Sequence, residues 1–202
     1  MHNSLTLSTY LIFPMMAGLA AVAEPLVRLV LTEKWMPCVP YVQICCCILV
    51  LFPVHSCNLQ AINAVGRSDI FLKLEIIKKI VGIPILIIAV FFFDSPLAIA
   101  ASELIVVWLY WYINAYPNKK LVNYPVWEQI VDVMPVLLMS LIMCGSVLLI
   151  GNYCMNAALP DVVTLVIQVL TGVAVYLLLS VIFKPYPYRM ALEIAGDFLK
   201  KK

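Results

Sequence analysis

Glu24 and Arg28 stand four residues apart, the spacing that stacks two side chains on one helical face and lets a carboxylate meet a guanidinium. His55 and Asn58 lie one helical turn apart, with Gln60 close by and Pro53 just upstream. Proline frees a backbone carbonyl, and such breaks in apolar helices often line cavities. Glu103, beside Ser102, interrupts another apolar stretch. Ionisable groups inside such stretches cost about 2.5 to 3.5 kcal/mol to insert into a membrane and usually face a bundle interior or a watery cavity. Glu24, Arg28, His55, Asn58, Gln60 and Glu103 are therefore candidates for lining a polar translocation path, with proton or cation coupling open to His55 or Glu103. The plainer readings are structural: Arg28 snorkels to an interface beside a paired Glu24, and His55 makes an interhelical hydrogen bond.

The densest charged stretch runs from Gly66 to Lys79. Ser68 can cap a helix there, Asp69 suits its first turn, and Glu75 and Lys79 have the spacing of an ion pair. Arg67, Lys73, Lys78 and Lys79 form a basic collar that could contact a lipid diphosphate; equally, it could anchor the helix start at a membrane face. No nucleophile elbow, zinc-protease helix, phosphate-binding loop or dinucleotide turn is present, and 2 His and 7 Gly leave little material for one. Neither catalysis nor a cofactor or metal is expected. The 7 Cys, three of them consecutive at Cys45, Cys46 and Cys47, lack metal spacing and read as small buried hydrophobes.

The elements that must position these residues follow from composition. Of 202 residues, 64% are hydrophobic and 12% charged, against about 25% charged in soluble domains. The apolar surface must meet lipid. Six stretches, 5–31, 39–63, 70–93, 97–115, 131–150 and 162–183, approach or exceed the roughly 20 residues a membrane helix needs. Continuous apolarity excludes the alternation of a membrane barrel. The expected fold is an all-α integral membrane unit with six transmembrane helices and a 184–202 tail. In that tail Met190, Ile194 and Phe198 have the spacing of an interfacial helix, with Glu193, Asp197 and the lysines 200–202 elsewhere.

With alternate connections assigned to opposite sides, eleven of the 13 cationic side chains fall on one side and Lys34 alone on the other, with Arg28 inside the first stretch. By the positive-inside rule both termini are expected in the cytoplasm. Trp108, Tyr110, Trp111, Tyr112 and Tyr116 crowd the same end of the fourth stretch, where aromatic rings favour headgroups. The net charge of +2 gives no reason to expect a nucleic-acid partner. Ala21-Val22-Ala23 imitates a signal-peptidase site, but no Lys or Arg precedes it and the apolar run continues to Leu31, so the segment is expected to be retained.

From Phe13-Pro14-Met15-Met16-Ala17-Gly18 through Glu24-Pro25-Leu26-Val27-Arg28 to Trp35, the sequence resembles the Wzx-type polysaccharide flippases. The stretch from Asn58-Leu59-Gln60-Ala61-Ile62-Asn63 through Asp69 to Lys79 resembles them too. These are polysaccharide and lipopolysaccharide biosynthesis transporters of the multidrug/oligosaccharidyl-lipid/polysaccharide exporter superfamily, which includes MATE antiporters and MurJ. The resemblance is strong over residues 11–80 and only compositional beyond 130. It implies two helical lobes around a central cavity and alternating access in the bacterial cytoplasmic membrane. The implied substrate is an undecaprenyl-diphosphate-linked oligosaccharide. This chain would be the last six of about fourteen helices, a fragment or truncated reading frame whose partners are the missing N-terminal lobe, membrane lipid, glycosyltransferases and a polymerase. Two alternatives are an ion-coupled drug or metabolite antiporter, and a non-transporting scaffold of a polysaccharide-assembly complex.

Overall fold

A computed structural model describes residues 1–93, 95–157 and 159–190. Helices account for nearly all of it, and no strand occurs among the described residues. In chain order they are α1 (His2–Ala21), α2 (Ala23–Leu31), a 3-10 turn (Glu33–Cys38), α3 (Val39–Leu49), α4 (Phe52–Ala64), α5 (Ser68–Phe92), α6 (Pro96–Ala115), the short α7 (Asn118–Leu121), α8 (Val126–Asn156) and α9 (Asp161–Phe183).

The prolines explain where the long stretches divide. Pro25 cannot donate to the carbonyl of Ala21, and the expected single span 5–31 becomes α1 and α2 with a kink at Val22. Pro53 likewise separates α3 from α4 within the stretch Glu33–Ala64. Pro14 is accommodated inside α1. The carbonyl it releases, that of Tyr10, accepts the Tyr176 hydroxyl of α9 at 2.7 Å, while the Tyr10 hydroxyl donates to Ser180 Oγ at 2.8 Å. A helix defect thus becomes the α1–α9 contact.

Five helical stretches are long and apolar enough to cross a membrane: His2–Ala21, Glu33–Ala64, Pro96–Leu121, Val126–Asn156 and Asp161–Phe183. The remaining expected span, 70–93, forms α5, whose 25 residues reach about 37 Å, but Asp69, Lys73, Glu75, Lys78 and Lys79 occupy its first half. Its uncharged part, 80–92, is only about 20 Å long, short of a hydrocarbon core of about 30 Å. The helices pack as a row with α9 and α5 at opposite ends. Between them α8 lies against α1, α1 against α3 and α4, and those two against α6. Broad apolar faces remain outward, such as Phe91, Phe92, Leu170 and Leu178, as expected where lipid replaces water. The multi-pass helical membrane class agrees with the expectation. Residues Ile194 and Phe198, with Glu193, Asp197 and the lysines 200–202, lie outside the described residues.

Two helix contacts use the same device. The Tyr110 hydroxyl of α6 donates to the carbonyl of Lys78 at 2.8 Å, and Gln168 Nε2 of α9 donates to the carbonyl of Val147 at 3.3 Å. In each case the residue four positions on is glycine, Gly82 or Gly151. A Cβ there would stand 2.1 Å from the incoming polar atom. The missing side chain opens the carbonyl to a neighbouring helix. Gly82→Val should therefore break the α5–α6 contact at a net cost of about 2 kcal/mol, overpacking and the lost hydrogen bond outweighing any gain in helix propensity. Thermal unfolding in micelles reads the loss, and an unchanged midpoint would argue against this role for Gly82.

Candidate functional site

The polar residues gather at the two ends of the bundle, along the direction of its helices. At one end α2, the last turns of α8 and the start of α9 enclose a cavity of about 50 Å3, whose wall includes Glu24, Arg28, Asn152, Asp161, Thr164 and Gln168. The expected Glu24–Arg28 pair forms, Arg28 Nη2 donating to Glu24 Oε1 at 3.0 Å. Its second terminal nitrogen reaches Asp161 Oδ1 at 3.5 Å, 133 residues away. The planar guanidinium thus bridges two carboxylates, a geometry an ammonium cannot reproduce as well. Asp161 is also favourably placed as an acid in the first turn of α9. Deeper in, Gln168 is 3% exposed and fits over Gly151, its Oε1 buried without a partner among the described residues. Sequence inspection missed Asp161 and Gln168; an acid at a helix start and a glutamine in an apolar helix were the available signals.

At the other end α4, α6, α7 and α8 share a buried amide network. Asn58, fully buried, donates from Nδ2 to Gln129 Oε1 at 2.8 Å and accepts at Oδ1 from Gln129 Nε2 at 3.0 Å. Asn118 Nδ2 donates to the same Oδ1 at 2.6 Å. The Asn114 amide and His55 Nδ1 are hydrogen-bonded at 3.2 Å, and His55 Nε2 is buried without a partner among the described residues. His55 is thus an interhelical hydrogen-bonder, and Asn58 is the centre of a sealed network. Asn114, Asn118 and Gln129 escaped sequence inspection because isolated amides carry no spacing signal.

Beside this network Asp132 Oδ2 accepts hydrogen bonds from His2 Nδ1, at 2.7 Å, and from the Tyr124 hydroxyl. Burial, with the neighbouring Asp132 carboxylate, pushes the Tyr124 phenol far above its usual range, so it remains a donor. The cluster fixes the start of α1 to the start of α8.

Gln60 and Glu103 are exposed and join neither group; Gln60 Nε2 donates to Ser56 Oγ at 3.0 Å. In the basic collar the helix starts at Ser68 itself, with Arg67 in the cap position, so the expected Ser68 cap does not form. Arg67 grips Asp69 instead through Nε at 2.8 Å and Nη2 at 2.9 Å, holding the Asp69 carboxyl down at about 2. Glu75 pairs with Lys78 rather than Lys79. The reason is lateral packing: Lys78 faces α6, is 8% exposed, and its Nζ lies 5.7 Å from the Tyr110 ring centroid. Lys73 and Lys79 face outward.

All seven cysteines are free. Cys46 and Cys154 are buried as expected, whereas Cys45 and Cys47 are exposed because consecutive helical positions turn to different faces.

Among known proteins, a family model described as a polysaccharide biosynthesis protein matches residues 1–40. The match spans α1, α2 and the 3-10 turn, including Glu24 and Arg28. It supports a polysaccharide-biosynthesis family at a coarse level. No curated protein and no solved structure matches the chain.

Proposed function

We propose that the chain is the C-terminal part of a flippase that moves undecaprenyl-diphosphate-linked oligosaccharide across the bacterial cytoplasmic membrane for lipopolysaccharide or exopolysaccharide synthesis. The observation that carries this reading is the polysaccharide-biosynthesis match over residues 1–40, on a chain built almost wholly of apolar helices. A sugar moiety needs a wet, polar route while its lipid tail stays in hydrocarbon. Transport needs no bond made or broken, and the absence of acid/base motifs in the sequence fits that economy.

In this reading α5 also crosses and brings the crossings to six, its outward Lys73 and Lys79 snorkelling to the cytoplasmic face and both termini lying on that side. Those two lysines are the collar residues best placed to meet the substrate's diphosphate, since Arg67 is held by Asp69 and Lys78 by Glu75. The Arg28 cavity then belongs to the outer half of the bundle. The rest of the transporter, glycosyltransferases and a polymerase are the expected partners, and alternating access moves this part against the other lobe.

Deleting the gene should trap lipid-linked repeat units in the inner leaflet and deplete surface polysaccharide, read by periplasmic labelling of the sugar. Unchanged outer-leaflet labelling sinks the proposal. Altered drug susceptibility with normal polysaccharide points to an antiporter. Cross-linking to glycosyltransferases without a flipping defect points to a scaffold.

A further inference from the structure

The bundle end that carries His2 and Asp132 holds an open pocket of about 520 Å3 lined by His2, Tyr124, Trp127, Glu128 and Asp132. The rings of His2, Tyr124 and Trp127 are part of its wall; the His2 ring meets that of Tyr124 edge-on at 6.2 Å and, away from the lining, packs against that of Tyr186 at 5.1 Å. The two donors on Asp132 both use Oδ2, so Oδ1 stands outside that arrangement. Glu128, one turn earlier on α8, is exposed and is paired with no cation among the described residues. The pocket therefore joins π-faces to carboxylate oxygens, the two groups that hold an organic ammonium ion.

The pocket does not end there. Trp127 and Val131 also belong to a groove of about 690 Å3 between α8 and α9, whose other walls include Ile130, Met134, Leu138 and Phe183. An acidic aromatic pocket and an apolar channel thus adjoin through Trp127 and Val131.

We propose that this face seats one zwitterionic aminophospholipid of the phosphatidylethanolamine class. Its ammonium lies among Tyr124, Trp127, Glu128 and Asp132, and an acyl chain along the α8–α9 groove. The ammonium donates to Glu128 and to Asp132 Oδ1 while facing the rings, and the hydrocarbon covers an apolar surface that a soluble amine leaves bare. A phosphatidylglycerol headgroup brings no cation to the two carboxylates, so the pocket selects against it.

The test uses the full chain in detergent micelles, stripped of lipid and offered phosphatidylethanolamine and phosphatidylglycerol in equal amounts, with bound lipid counted by native mass spectrometry. The wild type should retain phosphatidylethanolamine over phosphatidylglycerol by about fivefold or more, the scale of one charge-assisted contact plus a ring contact. Glu128→Gln and Trp127→Leu, both at exposed positions, should each reduce that preference to about twofold or less, the residue of one lost contact. Asp132 is left intact because it fixes His2 and Tyr124. Equal retention, a preference for phosphatidylglycerol, or an undiminished preference in both variants overturns the proposal. Displacement of the lipid by free ethanolamine at equal concentration overturns the lipid assignment. None of these readouts involves transport, so failure here is distinguishable from failure of the flippase reading.

Discussion

Asn58→Leu should destabilise the bundle by about 2 to 4 kcal/mol, because each buried polar atom left without a partner costs about 1 to 3 kcal/mol. The substitution strands Gln129 Oε1, which receives Asn58 Nδ2, and strips Gln129 Nε2 and Asn118 Nδ2 of the shared Oδ1 acceptor. Gln129 Nε2 keeps only a weak alternative, the Tyr124 carbonyl at 3.4 Å. Single interhelical hydrogen bonds in membrane proteins average only about 0.6 kcal/mol. The larger figure rests on the network, since one fully buried side chain serves α7 and α8 at once. Removing both amides as Asn58→Leu with Gln129→Leu should recover part of the loss, because an apolar pair leaves fewer orphaned atoms than a single cut. Unfolding in mixed micelles gives both numbers. A single variant within about 0.5 kcal/mol of wild type, the range of ordinary surface changes, would remove Asn58 from the centre of this network.

Arg28→Leu should be the next most damaging change. It leaves Glu24 and Asp161 facing one another with no cation between them. Breaking a fully buried ion pair costs about 3 to 5 kcal/mol, but these side chains are 32% to 42% exposed, and solvent screening brings the expected loss nearer 1 to 2 kcal/mol. Arg28→Lys should keep the pairing with Glu24, which spacing alone supplies, and lose the bridge to α9. Adding Asp161→Asn to Arg28→Leu should restore part of the stability by removing one uncompensated charge. If all three variants unfold with the wild type, the bridge has no energetic role.

The contrast between Arg28 and Lys78 shows where sequence reasoning succeeds. Glu24 and Arg28 pair as their spacing requires, since both residues sit on one helix and the geometry is local. Glu75 had two cationic candidates, Lys78 at three residues and Lys79 at four, and local geometry allows either. The presence of Tyr110 on α6 decides for Lys78. Pro53 marks a helix discontinuity from sequence alone because a missing N–H acts within one turn, whereas the division at Pro25, inside a stretch read as one span, came from the structure. What the freed carbonyl at Pro14 does with its spare capacity depends on Tyr176, 166 residues from its acceptor.

By itself, then, the sequence determined the solvent and the local elements: apolar runs long enough to demand lipid, helices rather than strands, the discontinuity at Pro53, and the Glu24–Arg28 pair. Each is fixed by composition or by contacts within a turn. Tertiary structure alone decided that Asp161 completes the Arg28 bridge, that Gln168 fits over Gly151, and that Asn58 is closed within a ring of amides rather than open to a cavity. It also left Gln60 and Glu103 facing outward. Those outcomes turn on which faces of distant helices meet, and isolated polar residues do not encode that facing in any local pattern.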